Sequence, residues 1–418
     1  MENITRKIFQ QFKDCADTLK ANGFAKAEGT RILFEADEKV FGTKIGADIA
    51  NLKEDDIEEV EMKRLPMSRK GKKAMIFSQT FYCQKCLAEA VPFAASLDDM
   101  AQIIGPAVYV ADGRTADRSS GKSLKKALKR SNGCLVLRAV DGKGKGIGYS
   151  ITVGRTLHEA ATALTVMEKA AEAEWKSERL GGSKPLDKKE VKAMRQNYEK
   201  NYSQQTKAET VPTDFPAEET ELREHLVTYG NKLTEKRLVQ GTWGNLSVRL
   251  DSETMLVTPS GIDYALLEAG DMVKVNIHTL KAEGVNKPTS ELELHAEIYE
   301  AREDAGAVVH AHSKYASVFA CACKAIPVAS KEKDARELFG ATIPVAAYAL
   351  PGTHTLAVNT ASALGTGSAV VMAHHGMAVK TCGVHLKMRL NSRKPRAFHG
   401  MTTKKKILKK SRKSKKEF

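Results

Sequence analysis

Two stretches of the sequence that match each other decide the fold of this chain. The second is GNLSVRLDSETMLVTPSGIDYALLEAGDMVKV (244–275), and the first is GTRILFEADEKVFGTKIGADIANLKEDDIEEV (29–60). Self-similarity at one fixed distance indicates a repeated structural unit. We therefore predict that the chain is a tandem duplication of one fold. At a constant offset of 215 residues the identical pairs are Gly29/Gly244, Thr43/Thr258, Gly46/Gly261, Asp48/Asp263, Ala50/Ala265, Leu52/Leu267, Asp56/Asp271 and Val60/Val275.

The repeat continues beyond these stretches and divides the chain into segments. AMIFSQTFY (74–82) faces AVVHAHSKY (307–315), and GCLVLRAVDG (133–142) faces GSAVVMAHHG (367–376), at a larger offset that loop-length changes explain. Each copy is expected to open with a helix and to continue as short strands and helices, an α/β pattern. We predict a first copy at 1–178, a polar linker with one short solvated helix at 179–215, a second copy at 216–383, and a basic tail at 384–418 that is expected to be disordered.

Length, hydropathy and cysteine content exclude several classes of protein. The 418 residues suffice for two domains that each bury a core. No apolar run approaches the roughly 20 residues of a membrane span, and the N-terminal pattern is amphipathic rather than a secretory signal. The seven cysteines are odd in number and mostly lie in apolar runs, which favours reduced thiols and a cytoplasmic location.

The net charge of +15 belongs almost entirely to the end of the chain. Residues 384–418 contain 14 Lys plus Arg and one acidic residue, which leaves 52 basic and 50 acidic residues elsewhere. The helical pattern GRTLHEAATALTVMEKAAEAEW (154–175) closes the first copy and has no counterpart here. Three interpretations stay open: a tail that binds nucleic acid or anionic lipid, a solvated extension without a role, and a frame-shifted end of the gene, which the abrupt loss of pattern favours.

The histidines are concentrated in the second copy: only one of the eleven, His158, lies in the first 215 residues, and eight lie within 216–383. In AVVHAHS, His310 and His312 follow an apolar run, and residues i and i+2 of a strand share a face, which suits two ligands of one divalent ion. A second run, AVVMAHHG (369–376), ends in His374 and His375, one of which completes a three-histidine site if the strand ends are close. Taken alone, His-x-His is more often a pair of surface histidines.

Polar groups around two turns and one helix start favour an anion site. GTWGNLSVR (241–249) and TPSG (258–261) offer backbone N–H groups, the Asn245 amide and Ser260, and Thr289 and Ser290 precede a predicted helix. That helix has a capping-box pattern in Ser290 and Glu293, which places Glu291 in its first turn. Glu291 is also explained there as a surface carboxylate that favours the helix dipole.

In this order, GTWGNLSVR, TPSG, PTSE, VVHAHS, IPVAAYALPGT and HHG resemble the class II aldolase/adducin family, most closely its fuculose-phosphate aldolase-like members. The resemblance is strong over 220–383 and weaker over 3–178. It implies two copies of a three-layer α/β/α fold with a mainly antiparallel central sheet. It also implies a set of site residues. These are Glu291 as the catalytic carboxylate, His310, His312 and His375 as ligands of Zn²⁺ or another divalent metal ion, and Gly244, Asn245, Ser260, Gly261, Thr289 and Ser290 as the cradle of the substrate phosphate.

The activity that this resemblance implies is that of a metal-dependent aldehyde-lyase acting on a ketose phosphate. The ion would chelate the hydroxyl and carbonyl oxygens and stabilise the enediolate left by C–C cleavage, and Glu291 would transfer the proton. Related epimerases tend to carry Asp at the position of Glu291, which favours an aldolase. The alternatives are an epimerase or dehydratase of the same family, or a non-catalytic adducin-like binding protein. Retention of the three histidines and Glu291 argues against the binding protein.

Two departures from the family pattern qualify this assignment: a missing tyrosine, and the basic tail that stands in place of the closing helix. The segment IPVASKEKDARELFG (326–340) lacks the tyrosine that fuculose-type aldolases use as an acid, so the proton donor on the aldehyde side is unassigned. In the first copy, Phe77, Gln79 and Asp141 stand where the second has histidines, so that copy is expected to lack a metal site and to act as a scaffold. Family members usually assemble as oligomers, which predicts a homo-oligomer with a small-molecule sugar phosphate as ligand, no membrane partner, and nucleic acid only through the tail.

Overall fold

A computed structural model of the chain describes residues 6–62, 64–115, 118–202, 211–239 and 243–382. We call residues 6–178 the first half, 179–215 the linker and 216–382 the second half. The expectations for the tail at 384–418 lie outside the described residues. Within these ranges, no helix combines the length and apolar character needed to cross a membrane.

The first half begins with an amphipathic helix and continues as a sheet with four further helices. Helix α1 buries Ile8, Phe12 and Leu19 on one face, as helical spacing requires. The helices are α1 (Arg6–Ala21), α2 (Phe81–Glu89), α3 (Asp98–Ile103), α4 (Arg118–Arg130) and α5 (Leu157–Ser177). The strands are β1 (Arg31–Ala36), β2 (Lys39–Thr43), β3 (Ile57–Glu59), β4 (Ala74–Ser78), β5 (Phe93–Ala94), β6 (Ala107–Asp112), β7 (Gly133–Val140) and β8 (Gly146–Gly154).

The linker forms helix α6 (Lys188–Asn197), and the second half again begins with a long helix. Its helices are α7 (Ala217–Glu235), α8 (Leu292–Ala301), α9 (Lys314–Ala322), α10 (Lys333–Phe339) and α11 (His354–Leu364). The strands are β9 (Asn245–Arg249), β10 (Thr254–Val257), β11 (Val273–Asn276), β12 (Ala282–Glu283), β13 (Ala305–Ala311), β14 (Ile326–Pro327), β15 (Thr342–Ile343), β16 (Val345–Ala346), β17 (Ala369–Met372) and β18 (Met377–Cys382).

Each half is built around one eight-stranded sheet. The strand orders are β3-β2-β1-β4-β8-β7-β6-β5 and β12-β11-β10-β9-β13-β18-β17-β16, with β14 and β15 as a separate pair. Apart from the edge strands β5 and β12, seven strands follow the same order in both sheets. Neighbouring strands are antiparallel except β6 with β7 and β16 with β17. The expectation of mainly antiparallel sheets is therefore confirmed.

Both sheets bury apolar side chains on both faces. Alternate residues of one strand enter different cores, as in β1, where Ile32 packs with α1 and α5 while Leu33 packs with α4. In β10, Leu256 packs with α7, and Met255 and Val257 pack with α8 and α11. This alternation follows from the two-residue period of a strand. Helices on two faces of a sheet give three layers in each half.

Helix α5 is buried between the two halves, which differs from the amphipathic helix that its sequence predicts. Thr156 caps it by accepting the N–H of Glu159. Its sides contact β4 and β8 of the first sheet, and another side contacts α9 of the second half. The core that contains Leu164 and Met167 also includes Cys321 and Val371. One continuous core therefore joins the halves, and α5 has almost no solvated face.

The linker helix is present where the sequence predicts it, and most of its residues are exposed to solvent, but one face is buried. In α6, Val191 and Met194 are buried, and the helix packs against α3. The guanidinium of Arg195 donates to the carbonyl of Gln102 at 2.8 Å. Val191 and Met194, spaced as i and i+3, form this buried face. The spacing was not recognised in the sequence because most of the surrounding residues are charged.

The strand register places Phe77 and Gln79 at the first-half positions of the histidine pair. Phe34 lies opposite Phe41 as Val248 lies opposite Leu256, and these residues pack on the α1 side of the first sheet and the α7 side of the second. Ile32 therefore corresponds to Leu246. Ile32 lies opposite Ile76 and Leu246 opposite Val309, so the two residues that follow at one and three positions, Phe77 and Gln79, take the places of His310 and His312.

The counterpart of His375 changes, because the hairpin between β7 and β8 is longer than the one between β17 and β18. Val371 lies opposite Met377 with five residues between them, whereas Val136 lies opposite Tyr149 with twelve between them. Asp141 lies in the extra length of this hairpin, where it accepts the N–H groups of Lys143 and Lys145. It therefore does not occupy the position of His375.

Candidate metal centre

Three histidine rings of the second half meet at the ends of two paired strands. His310 lies in β13, His312 follows its end, and His375 lies in the turn before β18, which pairs with β13. The ring centroids are 4.6–4.7 Å apart, and one ligand nitrogen from each ring lies within 4.8 Å of the others. A Cβ at Gly376 would lie 2.7 Å from the carbonyl oxygen of Ala311, so glycine is needed for this approach. Among the described residues, this is the single group of three or more such ligands.

The ring nitrogens are arranged as a cation requires. The Nδ1–H of His310 donates to the carbonyl of Met377 at 3.2 Å, so its Nε2 carries the lone pair, 2.9 Å from Nε2 of His312. Burial holds the pKa of both rings well below the ordinary value, and both are neutral at pH 7. Three imidazoles whose ring nitrogens converge in this way fit Zn²⁺ or a similar divalent ion.

His375 has a different electrostatic environment. Burial lowers the pKa of His375, but the charge of Asp98 and its hydrogen bond more than offset this, so the pKa lies above the ordinary value. The Nδ1–H of His375 donates to Oδ2 of Asp98 at 2.5 Å. The Nε2 atom of His375 is buried and has no hydrogen-bond partner in the described structure. A buried, unpartnered nitrogen facing two other imidazoles supports the fit to a metal ion.

Glu291 lies beside this cluster at the start of α8. Its Oε2 atom is 3.8 Å from Nε2 of His375, and the residue is 6% exposed. Burial raises the pKa of its carboxyl above the ordinary value, and Asp98 adds to this, while His375 and the N–H of Gly352 oppose it. A buried carboxyl with a raised pKa suits a group that takes up and releases a proton.

The capping box predicted for this helix does not form. Helix α8 begins at Leu292, and Glu291 itself occupies the position before it. The hydroxyl of Thr289 accepts the N–H of Glu291 at 3.3 Å. Ser290 is exposed at the cavity instead of capping the helix. The helix therefore starts later than the sequence pattern indicates, and the Glu291 side chain points towards the histidines.

A buried hydrogen-bond network orients Asn245, and its central residue, His295, was missed from the sequence. The Nε2–H of His295 donates to Oδ1 of Asn245 at 2.5 Å, and its Nδ1 accepts from Ser247 at 2.6 Å. Tyr299 lies 2.8 Å from Ser247. Because its oxygen is engaged by His295, Asn245 presents its NH₂ group to the cavity. The signal was available, since His295 and Tyr299 are four residues apart on one helix face.

This network predicts a pH dependence of stability. Burial lowers the pKa of His295 to about 3, whereas a histidine in an unfolded chain titrates near 6.5. The unfolded state thus binds one more proton between these values, and stability is lost as the pH falls below about 6.5. Between pH 7 and 5, we expect the free energy of unfolding in urea to fall by about 2 kcal/mol more for the wild type than for His295→Gln.

The control for this prediction is His278→Gln, because His278 is half exposed. Its pH dependence should match that of the wild type. Parallel wild-type and His295→Gln curves between pH 7 and 5 would show that His295 is not buried in its neutral form.

A cavity of about 320 Å³ opens onto the histidines and Glu291. Of the predicted phosphate cradle, Gly244, Asn245 and Ser290 line it. In the described structure, the other three predicted cradle residues do not line this cavity. Their segments, TPSG and KPTS, are nevertheless paired through a bridge between Pro259 and Pro288. These three are Ser260, which is buried with an unpartnered hydroxyl, Thr289, which is buried, and Gly261, which has a φ of 73°.

The opposite wall of the cavity comes from outside the second half. Asp98 and Gln102 of α3 and Met194 and Asn197 of α6 line it. None of these was predicted, because they lie in the half and the linker that carry no metal-ligating pattern. The proton donor left unassigned by the sequence also stays open, since no tyrosine lines the cavity in the part of the chain that the structure describes.

His374, which the sequence analysis leaves out of the metal site, faces away from the other three histidines. Its φ is 60°, which turns the side chain towards the first half. The Nδ1–H group donates to the carbonyl of Ser96 at 3.0 Å, and Nε2 lies 3.3 Å from Sγ of Cys323. The adjacent residues His374 and His375 therefore have different environments: His375 lies in the cluster, and His374 lies between the halves.

Comparison with known proteins identifies the family. The family model described as Class II Aldolase and Adducin N-terminal domain matches residues 224–385. The 5-deoxy-D-ribulose 1-phosphate aldolase of Bacillus thuringiensis is 34% identical over 156 residues, which are 37% of this chain and 72% of that protein. The chain belongs to the class II aldolase and adducin family. Its relatives in this comparison are sugar-phosphate aldolases, and the family assignment supports an enzyme of the lyase type.

Two further class II aldolases match a similar share of the chain. The L-fuculose phosphate aldolase of Haemophilus influenzae is 35% identical over 175 residues, which are 41% of this chain and 76% of that protein. A solved structure of an L-fuculose 1-phosphate aldolase is 34% identical and covers 42% of this chain and 79% of that one, with a TM-score of 0.37. The family model matches only the second half and three residues beyond it.

Proposed function

We propose that the chain is a metal-dependent lyase that cleaves a ketose phosphate, with one site, in the second half. The observation that carries this proposal is the convergence of His310, His312 and His375 beside the buried carboxyl of Glu291. The names of the relatives support a phosphorylated ketose as the substrate class. The particular sugar and the native metal are left open by this proposal.

The proposed division of labour follows from the positions of these groups. A divalent ion bound by the three imidazoles would polarise the substrate carbonyl and offset the negative charge that develops when the C–C bond breaks. Glu291 would move a proton between the substrate hydroxyl and the carbon that C–C cleavage leaves negatively charged. Its carboxyl is the nearest carboxyl of the second half to the histidine cluster, and burial raises its pKa. The buried wall formed by His310 and His312 would keep water from this proton.

The phosphate would lie against Gly244 and Asn245. The NH₂ group of Asn245 is directed to the cavity because His295 engages its oxygen. Gly244 has a φ of 112°, and a Cβ there would lie 2.9 Å from the carbonyl oxygen of His310. Glycine thus lets this turn pack closely against the strand that carries the metal ligands. Ser290 at the opposite side of the cavity adds a hydroxyl.

We infer that the chain arose by tandem duplication and that its first half has become a scaffold. The shared order of seven strands in the two sheets supports this inference beyond the matched sequence pairs. At the positions of His310 and His312, the first half carries Phe77 and Gln79, both partly buried. These residues do not offer the nitrogen or carboxylate ligands that a zinc site needs.

The first test is the metal content of the purified full chain. We expect about one Zn²⁺ or similar ion per chain, lost in His310→Ala, because a three-histidine site without one ligand binds zinc poorly. His278→Ala is the matched control, since His278 is half exposed and does not line the cavity in the described structure, and it should keep its metal. The metal-loaded protein is then assayed for cleavage of ketose 1-phosphates. A wild-type chain that takes up no metal after reconstitution would contradict the proposal.

A further inference from the structure

The first half contacts the metal-site loop of the second half through two hydrogen bonds at His374. The N–H of Asp98 donates to the carbonyl of His374 at 2.8 Å, and the ring of His374 donates back to the carbonyl of Ser96. These contacts join residues about 280 positions apart and fix the start of α3 against the turn that carries His375. The two adjacent carboxylates of α3 are therefore held in place beside the histidine cluster.

Asp98 binds a metal-site histidine directly. Its Oδ2 accepts the Nδ1–H of His375 at 2.5 Å, and Asp98 is 1% exposed. A proton fixed on Nδ1 leaves the lone pair on Nε2, the atom that faces His310 and His312. Carboxylates that bind the second nitrogen of a metal-ligating histidine fix its ring and increase its basicity. The geometry of Asp98 and His375 is of this kind.

A second carboxylate lies near His312 without a hydrogen bond to it. The Nδ1 atom of His312 is 3.6 Å from Asp99 and 3.9 Å from Asp98, whereas His310 uses the carbonyl of Met377 in its own half. Lys169 of α5 forms a buried ion pair with Asp99. Three carboxylates, those of Asp98, Asp99 and Glu291, surround the cluster against this one lysine. In their charged forms they leave two negative charges, which one divalent cation balances.

We propose that Asp98 is a positioning residue of the metal centre, so that the half without histidines supplies, within the same chain, the carboxylate that orients His375. This inference rests on the proposed metal-dependent function. It assigns the scaffold half a direct role in metal affinity. Joining the halves does not require the Asp98 carboxylate, because the two hydrogen bonds at His374 and the buried core around α5 already do so.

The test is the zinc affinity of the full chain, measured by competition with a chelator. We expect Asp98→Ala to weaken zinc binding about 10–100-fold, the usual cost of removing such a partner. Asp98→Asn keeps an oxygen acceptor of the same shape and should recover part of this loss. With Co²⁺ in place of zinc, the visible spectrum of Asp98→Ala should differ from that of the wild type, because the ring of His375 is no longer fixed.

The control separates this role from a general weakening of the first half. Glu168 is equally a buried acid of that half, but it accepts the N–H groups of Tyr82 and Cys83 and does not contact the histidines. Glu168→Ala should lower stability and leave the zinc affinity unchanged. Wild-type affinity in Asp98→Ala, or an equal loss in Glu168→Ala, would overturn the inference and leave the proposed function intact. A wild-type chain without zinc binding would overturn both.

Discussion

Replacing Glu291 by Gln is expected to lower kcat for ketose phosphate cleavage by about 10²–10⁴-fold, the usual contribution of a general acid–base group. The amide keeps the shape of the side chain but cannot take up or release the proton. The Oε2 atom of Glu291 lies 3.8 Å from Nε2 of His375, and the substitution leaves all three histidines unchanged. Metal content should therefore stay close to one ion per chain while the rate falls, measured on the same metal-loaded preparations.

The matched control is Glu293→Gln, two residues further along α8. Glu293 is a partly exposed acid near His354 and does not line the cavity among the described residues. Its variant should have the kcat of the wild type. A Glu291→Gln protein that keeps its metal and retains kcat within a few-fold would show that another group moves the proton. Asp98 would then be the next residue to test, since it lines the same cavity.

The parts of the site that the sequence predicted share a local cause. His310 and His312 lie on one face of a strand because side chains alternate with a period of two, and Gly376 beside His375 marks a close approach. The pairing of β13 with β18 then brings the three together. Each step uses residues within one strand or one turn, which a single sequence can reveal. Similarly, α1 and α7 formed where helical spacing predicted them.

The parts that the sequence did not predict depend on contacts between distant segments. Asp98 meets His375 across 277 positions, and no periodicity in AASLDDMAQII indicates which surface that helix will contact. The same holds for α5, whose second face is buried by α9 rather than by its own half. Two adjacent acids within an apolar run were the available signal, since buried carboxylates need a partner. The partner itself became visible only in the fold.

Replacing Lys169 by Met is expected to destabilise the chain by about 3–5 kcal/mol, the usual cost of breaking a buried ion pair from one side. The side chains of Lys169 and Asp99 are 2% and 1% exposed, so the substitution leaves the carboxylate of Asp99 without its cation and without water. Asp98 adds a second negative charge next to it. The measurement is the free energy of unfolding in urea at pH 7. Burial lowers the pKa of Lys169 to about 8, so the lysine is still charged at this pH.

Two further variants identify the unpaired charge as the cause. Adding Asp99→Asn to Lys169→Met should recover most of the lost stability, because an amide is far less costly to bury than a lone carboxylate. Lys13→Met is the matched control, since Lys13 and Asp17 form an exposed pair on α1 with 48% and 58% of their side chains in solvent. That pair should contribute less than about 1 kcal/mol. If Lys169→Met cost no more than Lys13→Met, the buried ion pair would contribute little to stability. If Asp99→Asn recovered nothing, the loss would come from packing. In either case, the stability of the contact between the halves would not depend on the charge balance beside the metal centre.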